Sequence, residues 1–252
     1  MTVKTILITG GTGKFGRNFV KYFAEQGWEV LFTSTKQANA DQLIGNISKN
    51  SNIKAFISDL TKPNAAVELI EKIRKEGYRV NHLVNSARSL DSLETDELGQ
   101  TSRENFVSEY LMDVVVPYEL SMALFHSQPD ELNTITNIGS QYGIVAANPS
   151  LYDNHLKQSF IQYGVAKAAV MHLTKELAVR FAANNIRVNC IAYGGVEGRV
   201  DEAFKARYAK LTPSRNMMSE TDIAGPLAFL IDSSCQAING QTIQADGGWT
   251  LW

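Results

Sequence analysis

The pattern of hydrophobic and polar positions along the chain switches repeatedly between two periods. Short apolar runs rich in β-branched residues, KTILIT, EVLFT, IKAFI, HLVN, NTITNIG and IRVNCIA, read as strands. Between them, apolar residues recur at helical spacing and predict helices from about Gly13 to Gln26, Pro63 to Glu76, Ser102 to Ser127 and Ile161 to Asn184, with a polar segment after EVLFT. Strand, helix and strand in this order make βαβ units, and right-handed crossovers force such strands into a parallel sheet covered on both faces. The expected fold is therefore α/β: a Rossmann-like, doubly wound parallel sheet with helices on both faces.

Three boundaries carry a physical marker. Gly27 ends the first helix, Pro63 sits where a first helical turn tolerates proline, and Ser219 with Asp222 has the spacing of a capping box. Pro226 falls inside the helix that this box would open, which predicts a kink or a late start. The 252 residues fit one α/β core without an internal repeat or a dividing linker. Residues 1–252 are thus expected to form a single domain, with substrate loops near 141–160 and 194–218.

Composition narrows the partners. The formal net charge is −2 and the cations are scattered, so no basic stripe points to nucleic acid. No apolar run approaches the roughly 20 residues that span a bilayer, and the N-terminal MTVKTILITGG lacks the features of a signal peptide. The two cysteines, Cys190 and Cys235, fit a reducing cytoplasm, with Cys190 a buried strand residue and not a nucleophile. His155 has no second ligand at metal-binding spacing, so no metal site is expected.

The first strand runs directly into TGGTGKFG, Thr9 to Gly16, which opens a helix. Gly10, Gly13 and Gly16, with Thr12, Lys14 and Phe15 between them, would let a pyrophosphate approach the helix N-terminus, where free N–H groups favour negative charge. A glycine-rich strand–helix turn without ligand is the alternative. The second strand ends in Ser34, Thr35 and Lys36, with no carboxylate to hold ribose hydroxyls, which favours NADP over NAD; Lys36 also reads as a solvated surface charge. Asp59 is placed either to reach the adenine or to cap the following helix.

Tyr163 and Lys167 stand four apart in YGVAK, on one face of a predicted helix. A phenol is a poor acid–base near neutrality, and a neighbouring ammonium favours its anion. Ser140, just past a strand, can hydrogen-bond the oxygen of a reacting carbonyl. Taken alone, the tyrosine–lysine spacing is common and says little.

Taken together, TGGTGKFG, the SDL of residues 58–60, VNSA at 84–87, IGS ending at Ser140, YGVAK, RVNCIA and NGQTIQADGG resemble the short-chain dehydrogenase/reductase family, in the family's order and over nearly the whole chain. The stretch IGSQYGIVAANPSLYDN is further similar to the flagellin-modification or surface-polysaccharide branch. The resemblance implies Tyr163 as proton donor or acceptor, Lys167 as its electrostatic partner and a ribose contact, and Ser140 as the group orienting the substrate oxygen. It also implies Asp59 and Leu60 near the adenine, Asn85 and Ala87 along the nicotinamide ribose, Val196 near the carboxamide, and a homodimer or homotetramer. The aromatic tail from Trp249 to Trp252 is a candidate for burial in that interface.

The chain departs from the family pattern in several places. Lys14 replaces the central loop glycine, and a lysine there can touch a phosphate. NNAG becomes NSAR, so that Arg88 stands at the expected substrate mouth. Asp113 aligns with the relay asparagine, Tyr193-Gly194 replaces Pro-Gly, and Gly198 takes a hydroxyl position. Between Ser140 and Tyr163, a long connection carries Tyr152, His155 and Lys157. With Arg88 and Arg199 they suggest an anionic substrate, such as a sugar phosphate, with surface salt bridges as the alternative.

The expected activity is hydride transfer between a nicotinamide dinucleotide and the carbonyl or hydroxyl carbon of a small molecule. Two rivals remain: a nucleotide-binding scaffold or sensor without turnover, and a sugar-nucleotide epimerase or dehydratase, which usually carries a larger C-terminal substrate domain.

Overall fold

A computed structural model describes residues 4–47, 51–198 and 200–252. Seven parallel strands form one sheet: β1 (Thr5–Ile8), β2 (Glu29–Ser34), β3 (Ile53–Ile57), β4 (His82–Asn85), β5 (Thr134–Ser140), β6 (Arg187–Tyr193) and β7 (Thr242–Ala245). Their spatial order is β3-β2-β1-β4-β5-β6-β7. The chain enters at the middle, winds outward through β2 and β3, then returns to place β4 against β1. Loops leaving β1 and β4 diverge from that point, and the crevice between them is where a doubly wound sheet takes its ligand.

The helices are α1 (Lys14–Glu25), α2 (Gln37–Gly45), α3 (Ala65–Lys75), α4 (Arg103–Tyr110), α5 (Val116–Ser127), α6 (His155–Gln158), α7 (Ile161–Arg180), α8 (Glu202–Leu211) and α9 (Ala224–Ile231). Strand residues alternate between two apolar layers. Leu7, Leu31, Leu83, Ile135 and Val188 pack with Ile70 and Ile73 of α3, Leu120 and Leu124 of α5, and Leu177 of α7. Ile6, Ile8, Val30, Phe32, Val84 and Ile191 pack with Phe19 and Phe23 of α1 and Leu227 and Leu230 of α9. Burial on both faces explains why the strands read as continuous apolar runs.

The boundary expectations fare differently. Gly27 follows the end of α1 at φ 77°. Pro63 is not in a helical turn: Asn64, at φ 64°, is the N-cap and α3 begins at Ala65. Ser219 and Asp222 do form a capping box, but it opens a short 3-10 turn, and α9 starts late, at Ala224. Pro226 then lies in the first turn of α9, where its missing N–H costs nothing.

The stretch from Ser102 to Ser127 is not one α-helix. Leu111–Val115 forms a π segment, in which the Val116 N–H reaches back to the Leu111 carbonyl. Pro117 supplies the cause, because it lacks the N–H that would pair with the carbonyl of Asp113 four residues earlier. The polar segment after β2 is helical (α2), and α8 lies in what was expected to be loop.

Candidate functional site

A cavity of about 520 Å³ opens at the carboxyl ends of the strands, between the loops after β1 and β4. Its size lies within the range of small-molecule sites. Gly10, Thr12, Gly13, Lys14, Phe15, Gly16, Ser34, Thr35, Asp59, Leu60, Asn85, Ala87 and Val196 line it, together with Arg88, Asp113, Ser140, Tyr163 and Lys167. Residues far apart in sequence are therefore gathered around one space.

The nucleotide end is shaped by backbone. A Cβ on Gly16 would sit 2.2 Å from the Gly10 carbonyl oxygen, and one on Gly10, itself at φ 64°, 2.7 Å from the Ala87 Cα. Both positions require glycine for the loop to close. Thr9, at the head of the glycine motif, accepts from the N–H groups of Ser86 and Ala87 at 2.9 Å each, bracing the turn after β4, a role its sequence context does not reveal. Asn85 donates to Asn137 at 2.8 Å, while its own Oδ1 is buried without a partner. A shaped glycine cradle and an orphaned acceptor in the cavity wall fit a dinucleotide.

Lys14 does not extend over open space. Its ammonium donates to the Val196 carbonyl at 2.8 Å and to that of Glu197, tying the glycine loop to the segment after β6. Asp59 accepts from the N–H and hydroxyl of Thr61, so it caps its own turn and not α3; these bonds hold its carboxyl below the usual range. Lys36 is exposed at the start of α2 and does not line the cavity.

At the other end, Ser140 is buried and its hydroxyl accepts from the Tyr142 N–H at 3.2 Å. Tyr163 and Lys167 sit one turn apart on α7, with the Lys167 Nζ 5.6 Å from the Tyr163 ring centroid. Lys167 is buried, donates to Asp113 Oδ1 at 2.9 Å and to the Ile138 carbonyl at 3.0 Å. Asp113 Oδ2 has no partner. One turn earlier Glu109 is also buried, accepts from the Ser92 hydroxyl, and has its carboxyl raised above the ordinary range by burial. Arg88 lies over the Tyr163 ring, its guanidinium carbon 4.2 Å from the centroid.

A family model described as enoyl-(acyl carrier protein) reductase matches residues 14–250. The chain belongs to the short-chain dehydrogenase/reductase family. It is 25% identical to the post-translational flagellin modification protein A of Campylobacter coli, over 98% of each chain. The crystal structure of a short-chain dehydrogenase from Leptospira borgpetersenii with bound NAD+ superposes with a TM-score of 0.86 at 26% identity, covering 99% of this chain and 94% of that one. ElxO with NADP bound superposes with a TM-score of 0.86 at 25% identity, covering all of both chains. This family membership makes the protein an oxidoreductase of the nicotinamide-dependent type.

Within this short-chain dehydrogenase, the long connection before Tyr163 is arranged otherwise than its sequence suggested. Tyr152, His155 and Lys157 do not line the cavity. Lys157 pairs with Glu97, and the Tyr152 hydroxyl shares a 2.7 Å hydrogen bond with that of Tyr142. His155 lies against the Tyr152 ring, 5.9 Å between centroids. Arg199 lies outside the described residues. Helix α8, missed in the sequence, brings Tyr208 under the site: its hydroxyl accepts from Gly195 N–H at 2.8 Å and donates to Gln141 at 3.0 Å.

Trp249 is buried against Tyr208 in its own chain, whereas Leu251 and Trp252 are exposed. Cys190 is fully buried, and burial pushes its thiol up to about 12, which leaves it inert. Among the described residues, no helix is long and apolar enough to cross a membrane.

Proposed function

We propose that this enzyme moves a hydride between a nicotinamide dinucleotide and the carbonyl or hydroxyl carbon of a small polar substrate, with Tyr163 as acid–base. The observation that carries the reading is the convergence of Ser140, Tyr163 and Lys167 on the cavity that the glycine loop also lines. The dinucleotide, when bound, supplies or accepts the hydride. In the reducing direction, the Tyr163 hydroxyl gives its proton to the carbonyl oxygen as the carbon gains hydride, so that C=O becomes CH–OH. Ser140 donates a hydrogen bond to that oxygen. The Lys167 ammonium, held by Asp113 and the Ile138 carbonyl, stands beside the negative charge that develops on the tyrosine oxygen.

On this reading Gly10, Thr12, Gly13, Lys14, Phe15 and Gly16 serve the phosphates, Asp59 and Leu60 the adenine side, and Asn85, Ala87 and Val196 the nicotinamide side. NADP is the favoured cofactor, because Ser34 and Thr35 line the cavity where a carboxylate would select NAD. A polar substrate of the carbohydrate class accords with the hydroxyls and guanidinium at the reacting end. A cytoplasmic homodimer or homotetramer completes the reading, with exposed Leu251 and Trp252 as contact residues.

Replacing Tyr163 by Phe tests the assignment. Single-turnover kinetics should lose about 10²–10⁴-fold in rate, while nucleotide binding by fluorescence stays intact. Unchanged turnover would refute the acid–base role. A scaffold without turnover is favoured by one observation, the ion pair that Asp113 forms with Lys167. Nucleotide binding with no turnover on any carbonyl or alcohol in the unsubstituted protein would support it.

A further inference from the structure

We infer that Arg88 is an anion-recognition residue that restricts the enzyme to substrates carrying a carboxylate within a few bonds of the reacting carbon. The inference rests on the oxidoreductase reading and names the substrate class of the same site. Its basis is a difference between Arg88 and other cations of the chain whose charge is already engaged. Lys167 is neutralised by Asp113 at 2.9 Å, Arg207 pairs with Asp153 at 3.1 Å, and Lys157 is taken by Glu97. Lys14 is engaged by the Val196 and Glu197 carbonyls.

Arg88 is exposed, lines the cavity, and has as its interaction among the described residues the face of Tyr163. No hydrogen bond or ion pair to a described residue uses its N–H donors. The acid that feels its charge, Glu109, is buried behind Ser92 and forms no ion pair with it. An Arg stacked on an aromatic face is pre-organised and keeps its donor edge for a planar, bidentate partner.

The geometry then sets the length of the substrate. The guanidinium carbon is 4.2 Å from the Tyr163 ring centroid, so a carboxylate in fork contact, about 2.8 Å from the guanidinium nitrogens, is held within a few ångströms of the group that would exchange the proton. A short spacer is enough to join that carboxylate to a carbon whose oxygen meets Tyr163. Short 2- or 3-oxo acids, the matching hydroxy acids and sugar acids have such spacers. A phosphate at the far end of a sugar does not.

Calorimetric titration of the full chain, with and without bound NADP+, tests this. The probes are acetoacetate against methyl acetoacetate, 2-oxobutyrate against butanone, gluconate against glucitol, and glucose 6-phosphate against glucose. At least one carboxylate should bind ten-fold or more tighter than its neutral counterpart. That preference should fall below three-fold in Arg88→Met and return in part in Arg88→Lys. Equal binding of every acid and its neutral counterpart overturns the inference, as does a preference that survives Arg88→Met in a protein whose melting temperature is unchanged. A preference confined to glucose 6-phosphate overturns the carboxylate assignment. Failure of the unsubstituted protein to bind either nucleotide would sink the oxidoreductase reading alone, because the acid preference is read separately in the nucleotide-free titration.

Discussion

At the nucleotide end the cavity wall is backbone, and at the reacting end it is charge. Gly10 and Gly16 are fixed by steric exclusion, since a Cβ at either would overlap atoms 2.7 or 2.2 Å away. Tyr163 and Lys167 are placed by a helix, but their surroundings depend on Asp113, Glu109 and Arg88, which arrive from other elements. The first kind of site tolerates almost no substitution and needs no partner. The second can be retuned one side chain at a time, which is how a shared fold comes to serve different substrates.

The sharpest way to break this contrast is Gly16→Val. The added side chain cannot fit against the Gly10 carbonyl, so nucleotide affinity should fall at least 100-fold, about 2.7 kcal/mol, when measured by nucleotide fluorescence. A folded Gly16→Val protein that binds nucleotide normally would mean that the glycine loop does not shape the site.

At the reacting end, Asp113→Ala should be comparably severe for stability. It leaves the Lys167 ammonium buried with only the Ile138 carbonyl, and removing one partner of a buried pair costs about 3–5 kcal/mol. Urea denaturation measures it, with Asp113→Asn expected to lose only somewhat less, because the amide still accepts a hydrogen bond but no longer balances the ammonium charge. A loss under about 1 kcal/mol for Asp113→Ala, the level of an exposed pair, would show that the charge pair is not what orders this end.

The same contrast governs what the sequence made legible. The glycine loop, the parallel sheet implied by βαβ units and the Tyr163–Lys167 face could be read because each depends on local spacing or sterics. Helix α2 was not, since QANADQLIG buries only Ala40 and shows no clear stripe. Helix α8 likewise buries only Tyr208. The π segment was readable in principle from Pro117, four residues after Asp113. Lys157 looked like a substrate ligand because its partner Glu97 lies 60 residues away in the chain, and no local pattern reveals such a pairing. The contacts of Ser92, Glu109 and Thr9 are hidden for the same reason.

A smaller effect is expected at the rim of the nucleotide end. Lys36 does not line the cavity, yet it follows Ser34 and Thr35, which do. If its ammonium reaches a 2′-phosphate on binding, Lys36→Ala should cut any preference for NADPH over NADH by up to tenfold, about 1.4 kcal/mol. Dissociation constants for both nucleotides decide it. An unaltered ratio would assign the choice of cofactor to the hydroxyls of Ser34 and Thr35, keeping the nucleotide end free of charge control.

The smallest expected effect is a slope against pH at the reacting end. Burial raises the Glu109 carboxyl above its ordinary 4.5, with Asp113 adding to the rise and Ser92, Arg88 and Lys167 opposing it. The folded chain therefore binds more protons than the unfolded chain between pH 4.5 and the raised value. Glu109 thus contributes stability that is fully present below pH 4.5 and is lost as pH rises through its folded-state value. Glu109→Gln removes the titration and keeps an acceptor for the Ser92 hydroxyl, so the difference in unfolding free energy between variant and parent should move in the variant's favour as pH increases through that window. Equilibrium urea unfolding at several pH values measures the difference. A constant difference would mean that Glu109 is ionised in both states alike, and that burial behind Ser92 does not set the charge of this end.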